Sequence, residues 1–161
     1  MKEQQIAFIF PGQGAQYIGM GKDFFEQFSI AKETFEEASD LLKRSLMELM
    51  FDGSSEELTE TKNSQVAIYV ASIAMMRVLQ EYFPIAPKIC AGLSLGEYTA
   101  LTGANILPFQ TGLQLVSMRA DLMQKASIEF PGSMSAVIGL MESDVQPVSY
   151  THLTLPTSDL V

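Results

Sequence analysis

The chain has 161 residues, the size of one ordinary domain or part of one, and its 47% hydrophobic and 18% charged composition supports a packed core over disorder. Ten Lys and Arg against 19 Asp and Glu give a net charge of −9, which excludes the basic surface of a nucleic-acid binder. One cysteine and one histidine exclude a disulfide scaffold and a Cys/His metal cage. Met1-Lys2-Glu3 leads straight into an apolar run without the cleavage site of a signal peptide. The longest uncharged stretch, Tyr98 to Met118, is broken by Gly103, Asn105, Pro108 and Gly112, so no membrane span is expected. A soluble, cytoplasmic protein is the expectation.

The run Gln5–Phe10 stops at Pro11-Gly12-Gln13-Gly14 and predicts a buried strand of the parallel type. Ala31, Phe35, Ala38, Leu42, Leu46 and Leu49 then recur at helical spacing, with Glu33, Glu36, Glu37, Lys43 and Arg44 on the other side. Asp52-Gly53 breaks that helix, and Ser54 with Glu57 forms a capping box for a short one. A further helix, capped by Asn63 or Ser64, runs from Gln65 to about Phe83. It is apolar almost all round, the mark of a buried helix. Lys88–Gly92 is a second strand, helices follow from Leu95 and from about Pro108 to Phe130, and Ser133–Met141 is a third strand. Strands alternating with helices predict an α/β fold with a largely parallel sheet. The last fourteen residues, Val148 to Val161, have no clear period and resemble a translated cloning or adapter scar.

Gly92-Leu93-Ser94-Leu95-Gly96 is the strongest local signal, a G-x-S-x-G between a strand and a helix. A nucleophile elbow needs that spacing: the turn strains the serine backbone, and glycines two residues either side let strand and helix approach. The serine oxygen then sits at a helix N-terminus, where free N–H groups favour negative charge. A tight turn with Ser94 as N-cap would fit the same five residues, and both readings stand at this point. Gly12-Gln13-Gly14 by itself reads as a plain turn, since Tyr17 occupies the third glycine position of a dinucleotide loop. Arg119 alone reads as a solvated helix residue, Met118 and Met123 as core, and Cys90 as a buried apolar side chain.

The wider segment Ala91–Leu101 (AGLSLGEYTAL) resembles the nucleophile motif of malonyl-CoA:acyl-carrier-protein transacylases and related acyltransferase domains. Phe10–Gln16 (FPGQGAQ) is similar to that family's N-terminal loop, Val116–Gln124 (VSMRADLMQ) to its arginine helix, and Gly132–Leu140 (GSMSAVIGL) to its passage into a small inserted subdomain. The four blocks keep the family's order but cover only about the first half of a member. The resemblance implies an α/β-hydrolase-like parallel sheet with a nucleophile elbow, truncated at the start of a ferredoxin-like inserted subdomain. Residues 1–131 would belong to the large subdomain, 132–147 to the first strand of the small one, and 148–161 to a non-native tail.

The same resemblance implies roles. Ser94 would attack malonyl-CoA and carry the malonyl group as an ester, the backbone amides of Gln13 and Leu95 would form the oxyanion hole, and Arg119 would pair with the malonyl carboxylate. The phosphopantetheine thiol of acyl carrier protein would then take the acyl group, with no cofactor or metal of the enzyme's own, in a monomeric parent. Two departures stand out. Leu93 replaces the family's histidine before the serine, and the family's catalytic histidine has no counterpart, because His152 lies in the anomalous tail. The fragment is therefore expected to be a weak enzyme or an inert one. A serine hydrolase of the α/β-hydrolase type and a non-catalytic fragment are the alternatives. Uncovered apolar surface and an exposed sheet edge are also expected, because strands of the parent sheet would come from the missing half.

Overall fold

A computed structural model describes residues 5–83, 85–132 and 137–152, the side chains of 149–152 excepted. Strand β1 (Ala7–Phe10) is followed by α1 (Lys22–Gln27), α2 (Ser29–Leu42), a π-helical turn (Glu48–Asp52), α3 (Ser55–Thr59) and α4 (Thr61–Tyr82). Strand β2 (Ile89–Gly92), α5 (Leu95–Gly103), α6 (Phe109–Glu129) and α7 (Glu142–His152) complete the order. The chain divides into two compact units, residues 1–130 and 131–161. Among the described residues no helix is long and apolar enough to cross a membrane.

The apolar helix predicted from its all-round pattern is the axis of the first unit. Every residue of α4 from Asn63 to Ala74 is buried. Helix α2 lays Ala31, Phe35 and Ala38 in the same core, and α6 adds Leu113 and Val116. Phe35, Leu113 and Val116 each contribute about 1.5–3 kcal/mol when fully removed from water. Polar ties fix the register. Tyr69 Oη donates to the Phe109 carbonyl at 3.1 Å and shares a 2.9 Å hydrogen bond with Thr102 Oγ1, while its ring stacks on Phe109. Burial pushes the Tyr69 hydroxyl up from its usual range, so it stays a neutral donor. Arg77 reaches from α4 to Thr34 Oγ1 and Glu37 Oε2 on α2, with its guanidinium over the Phe109 ring.

Two helix boundaries differ from the sequence reading. The period from Ala31 to Leu49 is not one helix, because α2 ends at Lys43, which turns left-handed with φ 54°. The N–H groups of Lys43 and Arg44 fold back to the carbonyls of Asp40 and Ser39, a Schellman closure that leaves Leu46 and Leu49 in the core on a new segment. Neither Asn63 nor Ser64 caps α4. The helix starts at Thr61, so both residues stand in its first turn, and Asn63 instead donates to the Glu57 carbonyl and accepts from Arg44. The Ser54 cap is present: its Oγ accepts from the Glu57 N–H at 3.1 Å.

Strands β1 and β2 pair in parallel, Ala7 opposite Ile89 and Phe10 opposite Gly92. Alternation sends Phe8, Phe10 and Cys90 to one face and Ala7, Ile9, Ile89 and Ala91 to the other. Phe10 is buried against Gly103 of α5. The opposite face is open, with Ile9 80% and Ile89 64% exposed. Burial of both strands on both faces is therefore not observed. Parallel strands are buried twice only where helices cover both faces, and the described elements of this unit cover one. The uncovered apolar surface expected of the chain lies here.

In the second unit, the third strand expected over Ser133–Met141 falls partly outside the described residues. Residues 137–141 are not a strand: Gly139 turns left-handed, and the Met141 carbonyl accepts from Asp144 and Val145 as α7 begins. A β-forming sequence becomes a strand only by pairing, and no described strand pairs with it. Helix α7 continues past residue 148 with Pro147 inside it.

Because Ile9 and Ile89 face outward, replacing both with Thr keeps the β-branch and removes apolar surface without opening a cavity. The double variant is expected to change unfolding free energy by under about 0.5 kcal/mol and to delay aggregation. Urea melts and light scattering test this, and a large destabilisation would mean the face is covered in solution.

Candidate active site

The turn after β2 holds Ser94 at φ 53° and ψ −103°, a conformation that costs a non-glycine residue about 1–3 kcal/mol unless its surroundings impose it. Here they do. A Cβ on Gly92 would lie 2.0 Å from the Gly96 carbonyl group, and one on Gly96 would lie 2.3 Å from the Phe10 oxygen. Strand, turn and helix therefore meet backbone to backbone. The Gly96 N–H donates to the Leu93 carbonyl at 2.9 Å and the Glu97 N–H to the Ser94 carbonyl at 3.2 Å. Ser94 occupies the N-cap position of α5, but its side chain makes no capping bond. Of the two readings open on sequence, the strained elbow is the one observed.

The free Oγ has a cationic partner. Arg119, on the half-buried flank of α6, donates from Nη2 to Ser94 Oγ at 2.8 Å. Its other arm, Nη1, donates to Gln65 Oε1 of α4. Gln65 Nε2 in turn donates to Gln13 Oε1 at 3.4 Å and to Met123 Sδ at 3.3 Å. Gln13 lies on the loop that leaves β1, and that loop runs beneath the elbow: a Cβ on Gly12 would sit 2.8 Å from the Leu93 oxygen. Leu95 is the buried first residue of α5, where an amide has no acceptor within its own helix. The geometry thus gathers Ser94, Leu95, Arg119 and, through Gln65, Gln13. A hydroxyl beside a guanidinium and a helix N-terminus is placed where negative charge on oxygen is favoured.

Other sequence readings change. Arg119 is no solvated residue, and Met118, read as core, is 59% exposed on α6. Met123 is half-buried, with its sulfur toward Gln65. Cys90 is half-buried rather than fully so, and burial pushes its thiol up. Leu93 is 74% exposed. His152 is the last residue of α7 in the second unit, and residues 1–130 contain no histidine. Gln65 was missed as a site residue. Its signal was an amide set in an otherwise apolar helix, which buries it completely. A cavity of about 300 Å³ lined by Gln80, Pro87, Lys88, Cys90 and Asn105 shares no residue with this cluster.

Gly96→Ala places a methyl group into the Phe10 carbonyl and is expected to cost about 3 kcal/mol or more. Gly14→Ala meets no atom within 4 Å and strains only its own φ of 106°, so its cost is expected to be smaller. Comparative urea melts check the order, and an equal loss would remove the close backbone contact as the cause.

Residues 7–150 match the acyl transferase domain family. The chain is 42% identical over 154 residues to a malonyl CoA-acyl carrier protein transacylase of Bacillus subtilis, covering 96% of this chain and 38% of that protein. Among solved structures, the acyl-carrier-protein S-malonyltransferase of Burkholderia pseudomallei 1710b matches with a TM-score of 0.82 at 40% identity, over 91% of this chain and 48% of that one. A malonyl-transacylase solved in complex with a type II PKS acyl-carrier protein matches with a TM-score of 0.73 at 44% identity, over 76% of this chain and 40% of that one. The chain thus spans under half the length of these relatives.

Proposed function

The chain belongs to the acyl transferase domain family, and from that premise we propose that the whole protein moves a malonyl group from malonyl-CoA to acyl carrier protein in fatty acid synthesis. Ser94 Oγ attacks the thioester carbonyl and loses its proton to a general base. The tetrahedral oxyanion is held by the amides of Gln13 and Leu95, and coenzyme A leaves as its thiol, taking up a proton. The malonyl ester on Ser94 is then attacked by the phosphopantetheine thiol of the carrier protein, which regenerates the hydroxyl. Arg119 grips the free carboxylate throughout and so favours malonyl over acetyl. No metal or prosthetic group enters the scheme.

The 2.8 Å contact from Arg119 to Ser94 supports this reading most directly. A cation within hydrogen-bond reach of a nucleophile suits a substrate whose anionic end lies a few bonds from its reacting carbonyl. A simple ester would leave that charge without a partner. The relative solved with a carrier protein supports the choice of acceptor. In the finer description the sheet is α/β-hydrolase-like and residues after 131 enter a ferredoxin-like subdomain, in a cytoplasmic enzyme. The base is assigned to a histidine outside the 1–130 unit, and His152 is not given that role.

Intact-mass measurement after incubation with malonyl-CoA and acetyl-CoA tests the proposal. The chain is expected to take up malonyl on Ser94 slowly, for want of an adjacent base, and Ser94→Ala to take up none. Arg119→Ala is expected to shift the malonyl-to-acetyl ratio by about a hundredfold, the roughly 3 kcal/mol of a charge-assisted pair. An unchanged ratio would defeat the carboxylate assignment, and rapid release of free malonate would favour a hydrolase.

A further inference from the structure

Gln65 is a fully buried amide in a helix buried on every side, and such a group is costly unless both of its ends are satisfied. Arginine can only donate, so the Arg119 contact fixes which end of the amide faces it: Oε1 accepts from Nη1. Nε2 must then point the other way, to Gln13 Oε1 and Met123 Sδ. Gln13 is oriented in the same sense, with its own Nε2 toward Thr61 Oγ1 at 3.4 Å. A directed chain of donors therefore runs from Arg119 through Gln65 to the loop beneath the elbow. The guanidinium is held at both Nη atoms, by Gln65 on one side and Ser94 on the other.

We infer that Gln65 is the positioning residue for Arg119, and that its neutrality is the property that matters. A glutamate of the same shape would also hold the guanidinium, but as a fixed counter-charge in a buried place, where such pairs are strong. That charge would compete with any carboxylate a ligand brings. Glutamine fixes the fork without neutralising it, which leaves a full positive charge for the ligand. In agreement, none of the ion pairs among the described residues involves Arg119. The inference rests on the proposed function for the identity of the ligand, an acyl group carrying its own carboxylate.

Gln65→Glu and Gln65→Met in the full chain test this with two readouts. The first is nitrogen NMR of the Arg119 Nη groups, identified by their loss in Arg119→Lys. Rotation is expected to be restricted in the parent chain and in Gln65→Glu, and freed in Gln65→Met. If Gln65→Met does not fold, Gln65→Asn serves, one methylene too short to reach. The second is the rate of Ser94 acylation by malonyl-CoA against acetyl-CoA. Gln65→Glu is expected to lower the malonyl-to-acetyl ratio by about tenfold or more. A merely structural role would move both rates together. A ratio within about twofold of the parent, or Nη rotation unchanged in Gln65→Met, overturns the inference. If this chain is acylated by neither thioester, the slow uptake expected of it fails, and the rotation readout decides the role of Gln65 by itself.

Discussion

Ser94 keeps its conformation because three backbone segments touch at points where side chains would ordinarily stand. Gly92 lies against Gly96, and Gly96 lies against the carbonyls of Phe10 and Pro11. The second contact reaches beyond the turn. Strand β1 runs directly into Gly12 and Gln13, so the approach that permits the elbow also sets the path of the loop bearing Gln13. Ser94 and the loop are placed by one constraint, and glycine is the residue that allows it. The hydrogen bond from the Leu93 N–H to the Phe10 carbonyl belongs to the same junction.

A second constraint sets the height of Arg119. Tyr69 fills the space beside Gly112, where a Cβ would lie 2.1 Å from its hydroxyl oxygen, and its bond to the Phe109 carbonyl pins the start of α6. Arg119 lies seven residues beyond Gly112, two turns or about 10 Å along the same face. Gln65 lies one turn before Tyr69 on α4. The two helices thus meet twice, at Tyr69 with Gly112 and at Gln65 with Arg119, as an antiparallel pair does. An apolar interface could slide by part of a turn at modest cost. Two polar contacts at fixed separation cannot, and the guanidinium arrives opposite Ser94.

Local chemistry was legible in the sequence, and distant chemistry was not. The elbow could be read because its glycines, its serine and the flanking strand and helix are consecutive. The buried helix could be read because its apolar character is unbroken over several turns. Gln65 escaped because a pattern averaged over a helix hides one amide, and its partners stand 52 and 54 residues away. The break at Lys43 escaped for a different reason. Leu46 and Leu49 still reach the core after the turn, so the apolar period outlives the helix, and lysine carries no signal for a positive φ. The open face of the sheet shows the limit of reading burial from composition, since an apolar strand records a preference for cover and not the presence of what covers it.

Leu93 shows how the two kinds of placement divide the work of the turn. The resemblance puts a histidine at that position, and leucine stands there instead. The structure gives the supporting role to the main chain: the Leu93 carbonyl accepts from Gly96 and faces Gly12, while the side chain stands out in solvent. A residue whose backbone is held and whose side chain is free can change type without moving its neighbours. Ser94 beside it is in the opposite position. Its hydroxyl accepts from Arg119, its φ is unfavourable, and both follow from contacts made by Gly92, Gly96 and Arg119. The elbow therefore tolerates leucine at 93 for the same physical reason that it requires glycine at 92 and 96.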